Sequence, residues 1–92
     1  MQHQVTSDEI ENFKLAMRID INDDDKYISG LLLTAKQYIQ SAVSENSDLT
    51  DRQQFKFAVQ VLAQFWYTKR DIDLVTMPYQ VISMIQQLRG TV

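Results

Sequence analysis

The sequence predicts an all-α fold: one domain over residues 1–92, built from four helices, two long and two short. Three observations carry this expectation. Two Gly and one Pro in 92 residues leave too little turn chemistry for many short elements. Apolar residues recur at spacings of three and four, and no segment alternates convincingly with period two. Helix-start signals stand where those spacings begin.

The spacing predicts a short first helix over about Ser7 to Met17. Thr6 and Glu9 form a T-x-x-E capping box, and Val5 and Ile10 take the N′ and N4 positions of a hydrophobic staple. Ile10, Phe13 and Met17 share its inner face. Residues 1–5 read as a flexible N-terminal arm. The second helix is long, from about Asp24 to Val43, with Asn22 or Asp23 as its cap. The neighbouring acids suit the positive end of its dipole. Tyr27, Ile28, Leu31, Leu32, Ala35, Tyr38, Ile39, Ala42 and Val43 fill one arc of roughly 160°. Lys26, Ser29, Lys36, Gln37, Gln40 and Ser41 take the other side, where Leu33 is the single apolar residue. Gly30 lies mid-helix on that polar side. It marks either a close approach by another backbone or simple tolerance.

Ser44–Leu49 reads as a polar connection, free to order on a partner. Thr50-x-x-Gln53 is a second capping box. It opens the third helix, which ends near Lys69 and Arg70, where cations suit the negative end of the dipole. This helix is the densest apolar stretch. Phe55, Ala58, Val59, Leu62, Phe65 and Trp66 fall within roughly 120° of arc, and Phe57 and Val61 widen one flank to roughly 200°. Such breadth fits a central helix wrapped by the others, or a flank that meets another chain, and the two are compatible. A second connection leads to Pro78 in the first turn of a short last helix. Val81, Met84, Ile85 and Leu88 form its stripe, with Ile82 beside it and Gly90 as its stop.

Composition narrows the function. Hydrophobic content of 45% with 23% charged residues describes an ordinary globular chain. The absence of Cys excludes a disulfide or thiolate metal site and fits a reducing compartment. A net charge of −3 disfavours a protein that works by neutralising phosphates. Gln60 and Gln64 interrupt the longest apolar run, so no membrane span is expected. Met1-Gln2-His3-Gln4 lacks the basic and apolar regions of a signal peptide.

Catalysis finds no support. His3 is the only histidine and falls in the arm. No Ser–His–acid or Cys–His set can be assembled, and no Gly-rich loop is present to cradle a phosphate. The expectation is a protein that is not an enzyme and holds no cofactor or metal. Asp20-x-Asn22-x-Asp24 matches the start of an EF-hand loop, but Asp25 stands where Gly is needed and Leu31 where a bidentate Glu is needed. Helix capping and dipole compensation account for these acids instead. Lys69 and Arg70 beside Trp66 and Tyr67 suggest a stacking nucleic-acid patch. A basic helix end with core aromatics accounts for them better.

Three patches, in their order and spacing, resemble a known family. The first is Met17-Arg18-Ile19-Asp20 with Asn22-Asp23-Asp24-Asp25 and the amphipathic run to Tyr38-Ile39. The second is Phe65-Trp66-Tyr67 followed by Lys69-Arg70. The third is Met77-Pro78-Tyr79-Gln80-Val81 leading to Leu88-Arg89. Together they look like the head–tail connector proteins of tailed phages, also called head-completion or DNA-packaging adaptor proteins. The resemblance covers about residues 8–90. Members often carry His where this chain has Phe65, and Gly where it has Gln80; these departures bear on ring size and partner contacts.

The resemblance implies a small helical subunit, from a phage or prophage, that assembles into a homo-oligomeric ring below the portal protein. Such a ring extends the DNA channel, passes DNA without sequence-specific binding, and offers a platform to a tail or stopper protein. It implies a place at the head–tail interface of the virion, and in the host cytoplasm during assembly. Within that reading Leu33, Phe57 and Val61 are candidate subunit-interface residues, each alternatively core or a tolerated surface residue. Arg18 and Asp20 match the first patch and are candidates to fix the turn between helices by hydrogen bonds. Trp66 and Tyr67 are expected as core anchors, Arg70 as a partner for Asp20 or for a neighbouring subunit, and Pro78 as a helix initiator. The rival expectation is a small helical phage DNA-binding regulator. The long second and third helices and the lack of a basic reading face count against it.

Overall fold

The computed structural model describes residues 5–44, 48–49, 52–69 and 78–90. They form four α-helices: α1 (Ser7–Met17), α2 (Asp25–Val43), α3 (Gln53–Thr68) and α4 (Tyr79–Arg89). The all-α prediction holds, with two longer and two shorter helices around one core.

α1 starts as its sequence dictates. The Glu9 backbone N–H donates to Thr6 Oγ1 at 3.2 Å, and the Thr6 backbone N–H donates to Glu9 Oε1 at 2.9 Å. Two of the N–H groups that a helix start leaves unpaired are thereby satisfied. Val5 and Ile10 both pack against the core, so the chain is already anchored at Val5; residues 1–4 of the expected arm lie outside the described residues.

The other helix starts differ from expectation. Asp24, not Asn22 or Asp23, is the N-cap of α2, and no side chain caps it. Asn22 has another use, described below. α3 begins two residues later than the second capping box requires. Arg52 is its N-cap and Gln53 its first residue, so Gln53 cannot reach back as the third residue of a box; Thr50 lies outside the described residues. Pro78 is the N-cap of α4, one position before the first turn, and its carbonyl accepts from the Val81 and Ile82 N–H groups.

α2 and α3 make the most extensive helix contact, and each also touches α1 and α4. The centre is therefore shared, where the sequence pointed to α3 alone. α1 and α4 do not touch among the described residues and flank the central pair separately. The core is fully closed around Phe13, Ile28, Leu32, Ile39, Phe55, Leu62, Trp66, Val81 and Leu88. Leu49 is also fully buried. The connection expected to be free is thus pinned by an apolar plug; residues 45–47 lie outside the described set. Tyr27 and Tyr38, expected within the core arc of α2, sit at its margins with much of each ring exposed. Gln40, expected on the polar side, is buried and turns back to cap the end of α2 at the Ser44 carbonyl.

Gly30 fits the tolerance reading, and Gly90 does stop α4, though without a left-handed turn. A methyl group in place of the Gly30 hydrogen would meet nothing within 4 Å, so among the described residues no other element packs closely on it. Gly90 ends α4 with right-handed φ −74° and makes no use of glycine's freedom. Among the described residues the left-handed one is Arg18, at φ 58° and ψ 45°. Its N–H donates to the Leu15 carbonyl at 3.3 Å, and the Ile19 N–H donates to the Lys14 carbonyl at 2.8 Å. That pair of bonds is the Schellman closure of a helix C-terminus, made here without the usual glycine.

Candidate interaction surface

The buried and half-buried polar side chains of the N-terminal half hold helices together. Lys14 follows Phe13 on the inner face of α1 and is itself buried. Its Nζ donates to Asn22 Oδ1 at 2.5 Å and lies 3.0 Å from Asp25 Oδ1, a charge contact out of hydrogen-bond alignment. Tyr67, at the end of α3, donates its hydroxyl to Asp24 Oδ2 at 2.7 Å. The Tyr67 ring meets Phe13 edge-on at 5.4 Å and Tyr27 at 6.1 Å. The acidic turn before α2 is thus stapled to α1 by a lysine and to α3 by a tyrosine.

A second polar staple lines an open cleft of about 400 Å³ between α1, α2 and α3. Lys36 Nζ donates to Glu9 Oε1 at 2.8 Å and lies 2.7 Å from Oε2. Gln60 Nε2 donates to the Glu9 backbone carbonyl at 3.2 Å. Burial pushes the Glu9 carboxyl up. The hydrogen bond from Lys36, the bonds from Thr6 and the Lys36 charge outweigh it, and the net effect is a value below the ordinary 4.5.

These pairings use the charged groups as structural links. Among the described residues no group of three or more His, Asp or Glu could hold a metal ion. Asn22 and Asp24, which prompted the EF-hand comparison, are engaged with Lys14 and Tyr67. Among the described residues no helix is long and apolar enough to cross a membrane.

The surface features are apolar. Of the three candidate interface residues, Phe57 is 58% exposed, Val61 is half-buried and packs against the core, and Leu33 is half-buried on α2. The flank that the sequence presents as one stripe is therefore split: Val61 turns inward and Phe57 outward. A shallow groove of about 320 Å³ runs beside Phe57, with Gln53, Gln54, Met84 and Gln87 as its other walls. Four further exposed apolar residues gave no surface signal in the sequence: Leu15, Ile21, Tyr79 and Ile82.

Trp66 is buried and meets Tyr38 edge-on at 6.3 Å. Arg18 and Asp20 are exposed, and their side chains make no hydrogen bond to another described residue; the backbone closes their turn. Arg70 lies outside the described residues. Sequence reasoning also missed buried Lys14, although it extends the spacing Ile10, Phe13, Met17 on the inner face of α1 and so was readable.

Lys14, Asp24, Asp25, Glu9 and Lys36 thus link the helices, while several apolar side chains stand exposed on the outer faces. Compared with known protein families, the chain matches phage gp6-like head–tail connector proteins over residues 7–89. It belongs to that family. No individual curated protein and no solved structure gives a significant match. The matched span runs from the first residue of α1 to the last of α4, so all four helices belong to the connector unit. Membership makes the protein a structural component at the junction between phage head and tail, and its interactions are with other head and tail proteins.

Proposed function

We propose that this connector works as one subunit of a homo-oligomeric ring below the portal protein. The ring extends the DNA channel, and its other side offers a platform to a tail or stopper protein. It performs no chemistry, and DNA passes it without sequence-specific binding. Subunits are in the host cytoplasm during assembly. The observation that carries this reading is Phe57, an aromatic side chain left 58% exposed on α3 beside an apolar-floored groove. One chain has no segment among the described residues that covers it. A second copy or another virion protein removes that surface from water at about 25 cal/mol per Å².

The rival, a DNA-binding regulator, needs a helix face that reads phosphates and bases. The outward side of α3 carries Gln53, Phe57 and Gln64, with Lys56 the only cation between Gln53 and Thr68. Size-exclusion with light scattering, followed by negative-stain imaging, separates the two across a concentration series and with portal added. Rings at high concentration or on the portal support the connector reading. A monomer or dimer that never assembles, yet shifts short duplex DNA with a steep salt dependence, overturns it.

A further inference from the structure

The N-terminal and C-terminal halves of the bundle carry different charge. Residues 5–44, with α1, α2 and their turn, hold seven carboxylates and four cations. α3 and α4 with their capping residues, 52–69 and 78–90, hold four cations and no carboxylate. The α3–α4 side has the groove beside Phe57, with exposed Arg89 two residues beyond Gln87 on α4; exposed Lys56 lines the cleft towards α1 and α2 instead. The last turn of α1 presents Leu15, 75% exposed, and the α1–α2 turn presents Ile21, 57% exposed. Glu11, Asp20 and Asp23 are exposed along the same stretch, together with Arg18.

We propose that the α3–α4 groove of one copy receives the α1–α2 turn of the next. This assignment rests on the ring reading and names its two faces. Leu15 and Ile21 cover Phe57 and Met84, and Asp20 and Asp23 meet Arg89. A groove-to-groove contact is disfavoured, because it sets cations against cations with no carboxylate on either helix. A contact between two different patches is heterologous: every copy keeps one free turn and one free groove, so addition continues until rotation closes a ring. α1 and α4 flank the central pair without touching, so one copy can engage a neighbour on each side at once.

The test uses two variants of the full chain, each with one face blocked. Phe57→Asp blocks the groove. Asp20→Lys with Ile21→Lys blocks the turn. All three side chains are exposed, so the helical circular-dichroism signal should be retained; Gln87→Glu with Arg89→Glu, both exposed, replaces the groove variant should Phe57→Asp lose it. Each variant alone should need about tenfold or more higher concentration to self-associate than the unaltered chain. Mixed in equal amounts, they have one intact pair of faces between them and should give one-to-one dimers and nothing larger. If the unaltered chain forms rings and the blocked variants do too, or the mixture stays monomeric, the face assignment is wrong while the ring reading stands. If the unaltered chain never assembles, even on the portal, the ring reading falls and this assignment with it.

Discussion

Arg18→Gly should stabilise the isolated connector. Arg18 sits at φ 58° and ψ 45°, where an L-residue's Cβ crowds the following carbonyl at about 1–2 kcal/mol. The Arg18 side chain is exposed and has no hydrogen bond to another described residue, so removing it forfeits no visible contact. The Schellman bonds, Arg18 N–H to the Leu15 carbonyl and Ile19 N–H to the Lys14 carbonyl, are made by backbone and survive. Glycine returns about 0.4–1 kcal/mol through the greater freedom of the unfolded chain. The net gain is then about 0.5–1 kcal/mol, or a rise in Tm of about 2–8 °C for a domain of this size. The measurement is urea and thermal unfolding followed by circular dichroism, at a concentration where the chain is monomeric, so that assembly does not shift the midpoint. Arg18→Val is the counter-probe and should destabilise, because a β-branched residue tolerates left-handed backbone poorly. A glycine variant that is less stable than the parent would refute the backbone argument and assign the position to the guanidinium.

Two further outcomes follow from the polar staples. Tyr67→Phe keeps the ring contacts with Phe13 and Tyr27 but removes the hydroxyl donor to Asp24; chemical denaturation should show a loss of about 1–2 kcal/mol, and an unchanged midpoint would mean that water replaces the bond without loss. Glu9 has a folded pKa below 4.5, so its contribution is fully present above the unfolded value and disappears as pH falls through the folded one. Stability should therefore drop below about pH 4.5, and Lys36→Gln should flatten that part of the profile; parallel acid profiles for the two proteins would dismiss the Glu9–Lys36 pair as its source.

The helices were readable because their causes are local. The capping box at Thr6 and Glu9 formed as spaced, and the apolar repeats placed Ile28, Leu32, Ile39, Leu62, Trp66 and Leu88 in the core. The misplacements occurred where a residue had a non-local alternative. Asn22 fits a helix cap, but buried Lys14 needs an acceptor more, since an uncompensated buried ammonium is far costlier than an uncapped helix start in water. Gly90 fits a left-handed stop, yet the left-handed turn falls at Arg18. There the chain must reverse quickly enough to bring Ile19 against the core and Asp25 back to Lys14.

The sequence by itself determined that this connector is a four-helix bundle and which residue types could lie inside it. Periodicity and end signals act within a few residues, so they are written into the chain before it folds. Tertiary structure alone decided that Phe57 stays out while Val61, four residues on, turns in, and that Leu15 and Ile21 stand exposed on the acidic turn. Those outcomes depend on the rotation of each helix against its neighbours. That rotation is fixed by the joint packing of α2 and α3 with Trp66 and Leu49, contacts between residues far apart in the chain.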